Sequence, residues 1–159
     1  MKISKGKLYL FEERVPLRTH QILRKELSDG REALYISKHP PQQLKMQFDF
    51  DEDALRTLWL SPRPDDDCIP PMNLEVFELR VNEFLKESPD GIVALNGLDV
   101  LEMWNGLRPV LEVLKRARSK LNAYGTNFIL SVDPRNMRER SVSELEKVSD
   151  IVVDSTAKA

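Results

Sequence analysis

Residues 92–132 read IVALNGLDVLEMWNGLRPVLEVLKRARSKLNAYGTNFILSV, and this stretch decides the fold. Ile92-Val93-Ala94-Leu95 is a short continuous apolar run, the composition of a strand buried on both faces. A helical pattern covers residues 109–123. Val110, Leu111, Val113, Leu114, Ala117 and Leu121 fall on its inward face, with Lys115, Arg116, Arg118 and Lys120 outward. Tyr124-Gly125 closes that helix, glycine being the usual residue just past a helix end. Phe128-Ile129-Leu130-Ser131-Val132 is a second buried strand. Buried strand, long helix, buried strand is the unit of a right-handed parallel crossover.

Reading outward extends the same alternation. Downstream, residues 141–148 form a short helix with Ser141 and Glu144 in capping-box spacing, and Ile151-Val152-Val153 is a last strand. Upstream, residues 7–11 form a strand and residues 17–27 a helix whose Leu17, Ile22, Leu23 and Leu27 share a face. Residues 33–37 form a strand ended by His39-Pro40-Pro41, since consecutive prolines supply no ladder donors. Residues 55–60 form another. Residues 61–71, SPRPDDDCIPP, read as an exposed connection rather than an element. Asn73 then caps a helix carrying Leu74, Phe77, Val81, Phe84 and Leu85, which Pro89-Asp90-Gly91 ends. The sequence predicts a three-layer α/β fold, a mostly parallel sheet flanked by helices. Neither side of residues 61–71 holds enough apolar sequence for its own core, so residues 1–159 are expected to form one domain.

The 159 residues carry 26 acids and 24 bases, a net charge of -2, which excludes a global electrostatic footprint for nucleic acid. Cys68 is the single cysteine, so no internal disulfide and no cysteine-built metal site is expected. With only His20 and His39 besides, neither a metal nor a cofactor is assigned. No apolar run approaches the ~20 residues that span a bilayer. The first six residues lack a signal-peptide hydrophobic stretch, and a cytoplasmic location is expected. The 31% of charged residues, of mixed sign, fits a thermophile.

In sheets of this class ligands bind at the carboxyl ends of the strands. A phosphate-binding loop there needs G-x-x-x-x-G-K-[ST], and this chain has Glu12-Glu13-Arg14-Val15-Pro16-Leu17-Arg18-Thr19 between strand and helix. Only the last two positions agree in type. Glycines let such a backbone turn its N–H groups onto phosphate oxygens; Glu12 and Leu17 do not, Pro16 removes an N–H, and two carboxylates repel a polyphosphate. The strand that ends in a magnesium-organising acid in phosphoryl-transfer enzymes ends here in Asn96. Asp99, three residues on, is read as a helix N-cap. His20 is read as a surface histidine and His39 as a loop residue. The acids at Asp65-Asp66-Asp67 disfavour a Cys68 thiolate and are read as a solvated turn.

Residues 92–131, Ser149-Asp150-Ile151-Val152-Val153 and the altered loop at residues 12–19 resemble the latter part of RecA/KaiC-like ATPase cores. A resemblance covering nearly the whole chain is to the archaeal family catalogued as domain of unknown function 835. It rests on Leu34-Tyr35-Ile36-Ser37 followed by Pro40, Trp59-Leu60-Ser61, Ile69-Pro70-Pro71, Gly97-Leu98-Asp99-Val100-Leu101, Asn105-Gly106 and Val132-Asp133-Pro134, in that order and spacing. The resemblance implies an archaeal cytoplasmic module, in other members often attached to sensory kinase domains, with no catalytic residues to carry over. Members commonly carry an acid where this chain has Asn96.

The expected function is a non-catalytic interaction or regulatory module on a degenerate nucleotide-binding fold, with a protein partner or a second copy as its ligand. Glu12, Glu13, Arg14, Asn96, Asp99, Trp104 and Asn105 are its candidate contacts, because they are read as loop residues at the carboxyl edge. Trp104 is singled out as an aromatic in a glycine-containing loop. A first alternative is a cryptic nucleotide-binding protein or hydrolase using Arg18, Thr19 and Asp99. A second is a nucleic-acid binder using Lys115, Arg116, Arg118, Lys120, Arg135, Arg138 and Arg140.

Overall fold

A strand that is apolar along most of its length must be covered on both faces, and four strands of this chain are of that kind. The computed structural model describes residues 1–48 and 53–156. Its elements run β1 (Leu8–Glu12), α1 (Leu17–Ser28), β2 (Ala33–Ser37), α2 (Pro41–Phe48), β3 (Leu55–Leu60), β4 (Cys68–Ile69) and α3 (Leu74–Glu87). They continue with β5 (Ile92–Asn96), α4 (Leu98–Asn105), α5 (Leu107–Tyr124), β6 (Asn127–Val132), α6 (Glu139–Val148) and β7 (Ile151–Asp154). The strands make one sheet in the order β4-β3-β2-β5-β6-β1-β7, parallel at every pairing.

β1, β2, β5 and β6 are buried throughout. Side chains alternate between faces, so each strand feeds two cores. Leu8, Leu10, Leu34, Ile36, Val93, Leu95, Phe128 and Leu130 join α3, α4, α5 and α6 in the larger core. Tyr9, Phe11, Tyr35, Ala94 and Ile129 join Ile22, Leu23 and Leu27 of α1 and Leu44 of α2 in the smaller.

Several local expectations are corrected. The prolines after β2 do not stop the chain at a loop: Pro41 opens α2, since a proline in the first helical turn loses no hydrogen bond. Residues 61–71 are exposed only from residue 62 to residue 67. Cys68 and Ile69 are buried and pair in parallel with Trp59 and Leu60, a ladder too short to show any periodicity. Asp99 does not cap α4; Gly97 does, and a Cβ there would lie 2.5 Å from Leu60 Cδ1, so a larger residue would have to displace that side chain. Trp104 and Asn105 belong to the last turn of α4 rather than to a loop. Ser141 is no cap either. α6 starts two residues earlier, and the buried Ser141 hydroxyl donates to Glu102 Oε2 at 2.5 Å. Asn73 does cap α3, accepting from the Val76 N–H at 3.2 Å, and Gly125 ends α5 in the left-handed region at φ 65°.

Phe84 of α3 is buried in the larger core. Its replacement by alanine is expected to lower the unfolding free energy by about 3–5 kcal/mol in urea titrations, against less than about 0.5 kcal/mol for alanine at exposed Glu83.

Candidate functional site

The carboxyl ends of β1, β2, β5 and β6 surround a cleft of about 270 Å³, with Glu13, Lys38, Asn96, Asp99, Ser131 and Asp133 among its walls. Glu13 organises it. Its N–H donates to Val132 O of β6 at 2.9 Å, which turns the chain back over the sheet as β1 ends. Its carboxylate then lies under the first turn of α1. Oε1 accepts the Arg18 backbone N–H at 2.9 Å, and Oε2 accepts the Thr19 hydroxyl at 2.6 Å and the Ser131 hydroxyl at 2.7 Å. Glu13 and Ser131 are buried, and Thr19 is fully so. The start of a helix carries partial positive charge and unpaired N–H groups. Here the chain's own carboxylate meets them.

Beneath the cleft runs a buried polar chain. The Tyr35 hydroxyl lies 2.5 Å from His20 Nε2, and Asn96 stands near enough to act on the phenol. His20 is only 2% exposed, which corrects the surface reading: α1 turns Thr19, His20, Ile22 and Leu23 toward the sheet, and the imidazole stands edge-on to Tyr35. Burial pushes the His20 pKa down to about 4, helped by the charges of Arg24 and His39, so the ring is neutral at pH 7. Burial, with the Glu13 charge adding, drives the Tyr35 phenol well above its ordinary range, and Asn96 pulls it partly back.

A nucleotide with magnesium does not fit these residues. The Thr19 hydroxyl and the Arg18 N–H serve Glu13. Asn96 is neutral. Asp99 Oδ2 pairs with Lys38 Nζ at 2.8 Å. A phosphate at α1 would need the donors that Glu13 holds and would stand against its charge.

Other candidates scatter. Glu12, Glu13 and Asn96 are buried rather than displayed, whereas Arg14 is exposed. Asn105 ties α4 to the connection between β4 and α3, donating from Nδ2 to Pro71 O at 2.8 Å, and also donates to Leu101 O of its own helix at 2.9 Å. Trp104 is 54% exposed. Most of the basic set is engaged within the fold. Arg116 grips Glu78 through two hydrogen bonds, Arg118 meets Asp150 at 2.6 Å, Arg135 holds Asp133, Lys120 bonds Asn82 and Lys115 pairs with Glu112. No ion pair forms at Arg138 or Arg140 among the described residues. Asp65, Asp67 and Cys68 bring ligand atoms within 4.8 Å of one another, but Asp65 pairs with Arg63 and burial, with the charges of Asp67 and Asp65, pushes the Cys68 thiol up. Lys38 and Ser131 were not among the sequence candidates.

Residues 16–148 match the family described as "Protein of unknown function (DUF835)". The chain belongs to the DUF835 family. No curated protein matches it. Among solved structures, this DUF835 chain is similar to the KaiC-like protein PH0186 from the hyperthermophilic archaeon Pyrococcus horikoshii OT3. The TM-score is 0.69 at 15% identity, over 98% of this chain and 75% of that one. It is similar also to the flagellar accessory protein FlaH from Methanocaldococcus jannaschii, with a TM-score of 0.69 at 13% identity, over 96% and 72%. At such identities the likeness establishes the fold, a RecA/KaiC-like α/β core. No helix among the described residues is long and apolar enough to cross a membrane.

The DUF835 chain carries one more buried acid at this end. Glu12 closes β1 beside Asp154 of β7. Burial, a hydrogen bond with Glu146 and the charges of Glu146 and Asp154 push its pKa up to about 8 from an ordinary 4.5. Between those values the folded chain holds a proton that the unfolded chain has lost, so stability falls as pH rises. His20 acts oppositely from about 4 to 6.5, where only the unfolded chain binds the proton. The two effects oppose each other below pH 6.5. Urea midpoints are therefore expected to fall between pH 6.5 and 8 in the wild type and to stay level there in Glu12→Gln.

Proposed function

We propose that the chain is a non-catalytic interaction or regulatory module, acting in archaeal signal transduction, built on a nucleotide-binding fold whose phosphate position is filled by Glu13. One observation carries the reading: the Glu13 carboxylate on the Arg18 N–H, the Thr19 hydroxyl and the Ser131 hydroxyl. Charge-assisted bonds of this length are among the stronger protein hydrogen bonds, and they use the donors a transferring phosphate would require. The neighbouring groups support the same reading. Asn96 stands where phosphoryl-transfer enzymes place a magnesium-binding acid, and the nearest acid, Asp99, is neutralised by Lys38. Both solved relatives keep their fold at low identity, and a fold carries no activity by itself.

Calorimetric titration with ATP and Mg²⁺, together with a phosphate-release assay, tests this. The wild type is expected to give no binding heat up to millimolar nucleotide and no turnover. A micromolar dissociation constant that is lost in Arg18→Ala would overturn the reading in favour of a nucleotide-binding protein.

A further inference from the structure

Adjoining the cleft, with Asp99, Asn136 and Met137 lining both, an open groove of about 1,050 Å³ runs between α4 and the starts of α5 and α6. Its apolar surface comes from Met103, Leu107, Leu111 and Met137. Met103 is 72% exposed, and Trp104 stands beside it in the chain.

The charges around this groove are unequally engaged. Asp99 pairs with Lys38, Glu112 with Lys115 and Glu144 with Lys147, and Glu102 accepts from Ser141. Arg108, Arg138 and Arg140 line the same groove, are exposed, and make no ion pair among the described residues. Two helix starts open onto it as well. α5 begins after Gly106 and α6 after Arg138, neither with a side-chain cap; α5 has no acid in its first turn, whereas α6 carries Glu139 there. The start of α5 therefore adds partial positive charge to that of the arginines, and Glu139 offsets the start of α6.

We propose that this groove binds an acidic segment of a partner protein. The partner's carboxylates meet Arg108, Arg138, Arg140 and the start of α5, and its apolar side chains cover Met103 and Leu107. The proposal rests on the reading of the chain as an interaction module. Charge complementarity selects the occupant. A nucleic acid fits less well, because the groove's lining holds no aromatic ring for base stacking. Four acids on the rim and a net charge of -2 also oppose a ligand as densely charged as a phosphate backbone. A polypeptide with separated carboxylates and apolar anchors meets both surfaces.

The test is fluorescence anisotropy on the full chain with a labelled peptide of repeating Glu and Leu and its Lys-for-Glu counterpart. The Glu peptide is expected to bind the wild type. Its affinity should fall about tenfold or more in the Arg138→Glu/Arg140→Glu double variant and in Arg108→Glu, and the Lys peptide should bind only the reversed grooves. Circular dichroism verifies the fold of each variant, and the separate Arg108 change keeps the test alive if the double variant unfolds. Equal binding by wild type and variants, or no binding of the Glu peptide, overturns the proposal. Tighter binding of a single-stranded oligonucleotide or of phosphatidylserine vesicles overturns it too. So does self-association in sedimentation runs that the same reversals abolish, which would make a second copy the occupant. ATP heat on these samples would count against the module reading alone, whereas absence of Glu-peptide binding to the wild type without ATP heat counts against the groove alone.

Discussion

A buried carboxylate is costly unless hydrogen bonds replace its water, and the Glu13 carboxylate finds three such bonds from two elements, the start of α1 and the end of β6. Much of the carboxyl edge follows from this arrangement. It fixes the turn between β1 and α1, and it places Thr19 and His20 on the inward face of the helix. It also brings negative charge to the point where the helix is most positive. Removing the carboxylate would leave two buried hydroxyls short of a partner, a cost of about 1–3 kcal/mol for each.

The rest of that edge is consistent with the same constraint. With an anion already present, a second acid at the end of β5 would face like charge across the cleft, and Asn96 is neutral instead. Asn96 stands beside Tyr35, and Tyr35 meets His20 at 2.5 Å, so the floor of the cleft is lined by neutral polar groups. Asp99 is charged but held by Lys38. The fold shared with the KaiC-like protein and FlaH is therefore present, while the donors a phosphate would use are turned inward.

The buried strands were legible because burial on both faces leaves an unbroken apolar run, as in Ile92-Val93-Ala94-Leu95, and α5 because eighteen residues give its amphipathic period room. What escaped was short or set by tertiary contact. β4 has two residues, and α2 hid behind prolines that resemble a breaker. The caps expected at Asp99 and Ser141 gave way to Gly97, against which the Leu60 side chain packs, and to a helix starting at Glu139. At the site, the absence of phosphate-loop glycines could be read from residues 12–19. That the Glu13 carboxylate takes the Arg18 N–H and the Thr19 and Ser131 hydroxyls could not, since Ser131 lies 118 residues away. The only local sign was an acid just after a strand with a threonine at the next helix start. The basic residues looked like one surface because sequence shows charge but not pairing. Arg116, Arg118 and Arg135 are tied to acids within the fold, and what remains unpaired lies around a groove to which Arg108, unremarked in the sequence, also contributes.

The most direct test of Glu13 as a built-in substitute for phosphate is a crystal structure of the wild-type protein grown in concentrated sulfate. The account predicts the Glu13 carboxylate within hydrogen-bond distance of the Thr19 and Ser131 hydroxyls, with no sulfate at the start of α1. A sulfate on the Arg18 N–H, with Glu13 swung out of the cleft, would contradict it.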